Sequence, residues 1–115
     1  MVTLDGARWQ DVLDPRTMPF LADIARTRGA VLGAPGKGEI HASGPHFVSL
    51  PGYTEILTGR TPLGCKDNDC ARVNAPTIAD EVAARGEEAA VFASWERLDR
   101  AARFFPRGRR FGRGP

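Results

Sequence analysis

A serine beside a predicted helix start is the residue of this sequence best placed for nucleophilic chemistry. Ser49 precedes a helical run that extends to Thr58, with Pro51 in its first turn and Gly59 as its stop. Free N–H groups and the helix dipole favour negative charge at a helix N-terminus. An ionised serine oxygen, or a phosphate attached to it, would therefore suit this position. The alternative interpretation of Ser49 is a helix cap without further function.

A carboxylate near the N-terminus is the second candidate. Residues Val2 to Leu4 are predicted to form a short apolar strand, and Asp5-Gly6 is the turn that ends it. In an α/β sheet, ligands bind at the carboxyl ends of the strands, which is where this arrangement places Asp5. An ordinary Asp-Gly turn is the alternative interpretation.

Together these two segments resemble a known family. The stretches TLDGARW (3–9) and SLPGYTEILTG (49–59) are similar to the N-terminal part of the alkaline phosphatase superfamily, in its nucleotide pyrophosphatase/phosphodiesterase-like and sulfatase-like branch. In that branch an Asp-Gly after a strand supplies a metal ligand, and a later Thr or Ser nucleophile opens a helix that ends in Thr-Gly. The resemblance covers roughly residues 1–102. It implies Asp5 as a metal ligand and Ser49 as nucleophile and metal contact, with two Zn²⁺ ions in the complete enzyme.

Two further residues take possible roles from this resemblance. The phosphodiesterase branch has an Asn after its Thr-Gly helix that donates to a phosphoryl oxygen, and Asn68 falls on that position if the loop is shorter here. A neutral amide aimed at developing charge stabilises a transition state, whereas the alternative is a loop Asn in a turn. Arg60, directly after the helix, could meet an anionic substrate or be a solvated surface residue. A metal bound to the oxygen of Ser49 would make its alkoxide accessible.

The metal ligands of such an enzyme are incomplete in this sequence. The family takes further Asp and His ligands from later in a longer chain, whereas His41 and His46 precede Ser49 and match no family ligand. We therefore expect the N-terminal portion of a metal-dependent hydrolase of phosphate, phosphonate or sulfate esters, with a small-molecule ester as its substrate. We expect these 115 residues alone to hydrolyse nothing well. A non-catalytic fragment or pseudoenzyme is the alternative.

The two cysteines, Cys65 and Cys70, form a C-x4-C pair in a predicted loop. They are candidates for a small disulfide or for two free thiols, whereas a zinc site would need two more ligands nearby. A disulfide would favour a periplasmic or extracellular setting for the complete enzyme.

The order of predicted elements indicates an α/β fold. The sequence predicts a partial, doubly wound, mostly parallel sheet with flanking helices. Strands are expected at 2–4, 30–32, 39–43 and 89–93, and helices at 18–28, 50–58, 76–85 and 95–102. Tyr53, Ile56 and Leu57 are expected to share the inner face of the central helix, and Trp9 and Trp95 to pack inside. An exposed sheet edge would promote self-association.

The charged residues are unevenly distributed between residues 1–102 and the C-terminal tail, 103–115. The sequence has 16 Lys and Arg against 14 Asp and Glu, but five of the arginines and none of the acids lie in 103–115. Residues 1–102 are therefore mildly acidic, which argues against a nucleic-acid-binding fold. The Arg- and Gly-rich tail is predicted to be solvated, and weak RNA or DNA binding through it is a third functional hypothesis. No apolar run is long enough to span a membrane.

Overall fold

The computed structural model describes residues 1–61 and 64–102, and the backbone of 112–113. These residues form two compact units, Met1–Ala42 and Ser43–Pro115. Among the described residues, no helix has the length and apolar character needed to cross a lipid bilayer.

The first unit contains two helices in contact, α1 (Trp9–Leu13) and α2 (Pro19–Thr27). The sequence predicted α2 to within one residue at each end, but α1 was not among the predicted helices. An ion pair between Arg8 and Asp11, 2.8 Å apart, spans the start of α1. Such a local charge pair supports a helix without producing an apolar period. Trp9 on α1 is 46% exposed, so it is not the packing residue that was expected.

The second unit is organised around α3 (Ser49–Thr58). This helix starts at Ser49, one residue earlier than predicted, and Gly59 ends it as expected, with φ 66° and its N–H donating to the carbonyl of Glu55 at 2.8 Å. Glycine adopts this left-handed conformation without steric cost. The buried residues of the helix are Leu50, Pro51, Thr54 and Leu57. Ile56 is 49% exposed, so its predicted place on the inner face was wrong.

Three smaller elements follow α3. They are α4 (Ile78–Ala84), β1 (Phe92–Ala93) and the 3₁₀ helix η1 (Glu96–Arg100). A capping box between Thr77 and Asp80 fixes the start of α4, although Ile78, expected on its inner stripe, is exposed. The core of the unit packs α3 against η1. Its buried members are Leu50, Leu57, Cys65, Ala101 and Ala102, with Tyr53, Cys70, Val91, Trp95 and Leu98 packed around them.

Strand structure in the described residues consists of one short parallel pair. β1 pairs with β2 (Gly112–Arg113), so that Phe92 lies opposite Gly112. The segments 2–4, 30–32 and 39–43, predicted as strands, carry no ladder hydrogen bonds among the described residues. The larger α/β sheet therefore stays a prediction. The other residues of the predicted tail, 103–111 and 114–115, lie outside the described residues.

Candidate functional site

Ser49 is the first residue of α3. The residue before it, Val48, occupies the N-cap position with extended backbone and no side-chain capping bond. The interpretation of Ser49 as the N-cap is therefore not what the structure has. Ser49 is half-buried, and no described residue forms a hydrogen bond with its hydroxyl oxygen. A hydroxyl that is neither capping a helix nor fully buried can act on a ligand.

Asn68 contacts the residue next to Ser49. The backbone N–H of Leu50 donates to the side-chain oxygen of Asn68 at 2.9 Å, in a partly buried contact. A backbone N–H can bond only to the oxygen end of the amide, so this contact fixes which way the amide is turned. No described residue accepts a hydrogen bond from Nδ2 of Asn68, which leaves that NH₂ group available as a donor beside the start of α3.

The helix start offers fewer free donors than its position in the sequence suggested. Leu50 gives its N–H to Asn68, Pro51 has none, and Gly52 donates to the carbonyl of Val48 at 3.1 Å. Ser49 retains an N–H without an acceptor in the described part of the chain. The polar groups left at this end of α3 are therefore the hydroxyl and N–H of Ser49 and the amide of Asn68.

The loop that carries Asn68 is closed by a disulfide. Cys65 and Cys70 are bonded through their sulfur atoms, with their Cα atoms 5.0 Å apart. Within the loop, the N–H of Asp69 donates to the carboxylate of Asp67 at 2.8 Å, which forms a local turn around Asn68. Because both cysteines belong to the core or pack against it, the ends of the loop are held in the interior of the unit.

Two arginines of η1 bind the same loop. Arg97 donates through Nη1 to the main-chain oxygen of Asn68 at 2.7 Å and to the carboxylate of Asp69. Arg100 donates to the main-chain oxygens of Asp69 and Cys70, each at 3.1 Å. Sequence reasoning missed both residues. The spacing of Arg97 and Arg100 in a short helix was the available signal, since residues three apart share a face, but it does not identify a partner.

Asp5 lies in the first unit, in the predicted Asp-Gly turn, and its side chain is exposed. Ser49 and Asn68 lie in the second unit. The structure thus brings Asn68 to the start of α3, whereas the convergence of Asp5 and Ser49 on one metal ion stays a prediction.

The ligand set implied by the resemblance is not assembled from the residues that the structure describes. Among them, no group of three or more His, Cys, Asp or Glu side chains could hold a metal ion. His41 pairs with Glu39 at 3.1 Å on an exposed segment of the first unit, and His46 lies in the second unit. Metal binding by Asp5 and Ser49 therefore stays a prediction.

Arg60 follows Gly59 at the end of α3 that is distant from Ser49. Its side chain is exposed, and its backbone N–H donates to the hydroxyl of Thr58 at 3.2 Å. About nine residues of helix, each rising 1.5 Å, separate its position from Ser49. A direct role for Arg60 at the hydroxyl of Ser49 is not supported by this arrangement.

Comparison with known proteins gave no match. No family model matches the chain, and searches of the curated proteins and of the solved structures found nothing similar.

Proposed function

We propose that this chain forms part of a hydrolase of phosphate or sulfate esters in which Ser49 is the nucleophile and Asn68 a donor to the transition state. The observation that carries the proposal is the hydrogen bond from Leu50 N–H to the Asn68 side-chain oxygen. It joins Asn68 to the residue that follows Ser49, and the resemblance implies roles for Ser49 and Asn68 in one site. The proposal also takes from the resemblance a dependence on divalent metal ions, with Asp5 as one ligand.

The reaction at Ser49 would proceed in two displacements. Its Oγ forms a bond to phosphorus as the bond from phosphorus to the leaving alcohol breaks, and the hydroxyl proton ends on the departing alcohol. Water then cleaves the phosphoseryl bond, which returns the serine hydroxyl and releases the phosphate. The NH₂ group of Asn68 would donate to a non-bridging oxygen as charge develops there, a contribution worth about a hundredfold in rate for one such donor.

The experiment begins with the coding DNA downstream of codon 102, read in all frames. If Asp- and His-containing ligand motifs follow, the complete product is expressed and assayed on aryl phosphate monoesters, diesters and sulfates, with Zn²⁺ and with a chelator. We expect chelator-sensitive turnover of one ester class, abolished by Ser49→Ala and reduced about a hundredfold by Asn68→Ala. Ser94→Ala, a change to another serine of the same unit, is the matched control.

Three results would contradict the proposal. They are an absence of turnover with all ester classes, full activity in Ser49→Ala, and equal loss in Ser94→Ala. The 115 residues alone are expected to be nearly inactive, and mass spectrometry of this chain after incubation with substrate should show little phosphoryl adduct. Metal-dependent turnover by this chain, lost in Ser49→Ala, would support the nucleophile and overturn the expectation that the site is incomplete.

A further inference from the structure

Asn68 is fixed at two of its atoms by two different elements. Its side-chain oxygen accepts from the Leu50 N–H of α3 at 2.9 Å, and its main-chain oxygen accepts from Arg97 of η1 at 2.7 Å. These two elements pack against each other through buried residues that include Leu50 and Ala101. The core therefore sets the separation of the two anchors, and the anchors together define where the amide of Asn68 lies.

The contact from Arg97 is of a strong kind. The side chain of Arg97 is 37% exposed, and its guanidinium donates to a carbonyl in a partly buried contact and also reaches the carboxylate of Asp69. Hydrogen bonds from a charged donor are stronger than neutral ones, and a second partner on the next residue restricts the arginine further. Arg100 binds the carbonyls that follow but has no contact with Asn68.

We propose that Arg97 is a positioning residue for Asn68, holding its main chain so that the amide turns its oxygen to Leu50 and its NH₂ group outward beside Ser49. The catalytic consequence rests on the function proposed above, whereas the positioning itself is a property of the second unit. The disulfide joins the two ends of the loop, whereas Asn68 lies between the cysteines. Arg97 is the described side chain that reaches the main chain of Asn68 directly.

The test is amide hydrogen exchange, followed by NMR on the whole chain. The N–H of Leu50 reports the contact with Asn68, and the N–H of Leu57, buried in the same helix, reports the stability of α3 as a whole. In Arg97→Met we expect exchange at Leu50 to accelerate about tenfold or more, with a smaller change at Leu57. Arg97→Lys, which keeps a charged donor, should restore part of the protection.

The matched control is Arg72→Met. Arg72 pairs with Asp99 of η1 at 2.6 Å, so its loss also removes an ion pair to the same 3₁₀ helix, and no hydrogen bond joins its side chain to Asn68 in the described part of the chain. We expect exchange at Leu50 to change less than about twofold in this variant.

Three outcomes would overturn the positioning role: unchanged exchange at Leu50 in Arg97→Met, equal acceleration at Leu50 and Leu57 in both Arg97 variants, or the same local effect from Arg72→Met. The ester assays test the proposed hydrolase independently of the exchange experiment. Local loss of protection at Leu50 without turnover in the complete product would leave Arg97 positioning Asn68 and remove the proposed hydrolase. Turnover by the complete product, with unchanged exchange at Leu50 in Arg97→Met, would support the hydrolase and remove the positioning role of Arg97.

Discussion

The side-chain oxygen of Asn68 accepts the backbone N–H of Leu50 at 2.9 Å across 18 residues of sequence. Leu50 is the second residue of α3, and its N–H is one that an N-cap side chain would ordinarily bind. Asn68 thus supplies from a distant loop the oxygen that the adjacent Val48 lacks. The contact links the start of the helix to the loop closed by the disulfide.

Two substitutions of Asn68 distinguish the role of its side-chain oxygen from that of its NH₂ group. Asn68→Ala removes the oxygen and should lower the free energy of unfolding of the second unit by about 1 kcal/mol, the usual cost of a lost cap. Asn68→Asp keeps an acceptor, and its negative charge suits a helix N-terminus, so stability should be held while the NH₂ donor is lost. Urea unfolding followed by Trp95 fluorescence in a Trp9→Phe background measures the stability. Equal destabilisation by both variants would contradict the assignment of the oxygen to Leu50.

The disulfide should contribute measurably to the second unit. In the loop-entropy model, a bridge closing a loop this short contributes about 2 kcal/mol to the free energy of unfolding. The double variant Cys65→Ser/Cys70→Ser should lose this contribution and unfold at a lower urea concentration. Thiol titration of the denatured chain should find both cysteines only after reduction. Equal titration with and without reductant would contradict the bridge.

Adjacent residues of α3 should differ sharply in their response to truncation. Leu57 is 8% exposed and belongs to the core, so Leu57→Ala should destabilise the second unit by about 2–4 kcal/mol. Ile56→Ala is the matched control, and because Ile56 is half-exposed its effect should be about 1 kcal/mol or less. The reverse order in urea unfolding would place Ile56 inside, as its spacing in the sequence had indicated.

The turn after α1 should have a signature in pH titration. The Asp14 carboxylate accepts from the backbone N–H of Arg16, from the guanidinium of Arg16 and from the hydroxyl of Thr17, and these bonds lower the pKa of Asp14 despite an opposing desolvation effect. Since the folded pKa is depressed, the contribution of this carboxylate to stability is complete above the ordinary pKa of about 3.9 and is lost as pH falls through the folded value.

NMR titration of the Asp14 side-chain carbon measures this pKa directly. We expect its midpoint below that of an unfolded Asp, and a shift back toward the ordinary value in Thr17→Val, which removes one donor. A midpoint at or above about 3.9 in the unsubstituted chain would contradict the hydrogen-bonded turn.

Local signals in the sequence were sufficient for the helices that carry their own boundaries. Pro51 in the first turn and Gly59 at the end predicted α3 to within one residue of its observed limits, and α4 lies inside the helix predicted at 76–85. Helix α1 has five residues, and the Arg8–Asp11 ion pair at its start does not produce the regular spacing of apolar residues from which helices are predicted. A strand needs a partner, and the partner of β1 lies at Gly112, in a segment that had been predicted as a tail.

The residues of the candidate site were selected from the sequence, but the contacts that hold them could not be. The resemblance selected Ser49 and Asn68, and the structure joins their segments through Leu50. Arg97 could not be found in this way because it reaches Asn68 across 29 residues, and neither periodicity nor composition encodes a contact of that range.

Val48 gives the start of α3 no side-chain acceptor, so the helix depends on a tertiary contact for this hydrogen bond. Val48→Ser would give α3 a local partner that competes with Asn68 for the N–H of Leu50. Such a variant would cap the helix from its own neighbouring residue while releasing the amide of Asn68, so the helix start would stay bonded as the arrangement beside Ser49 loosened.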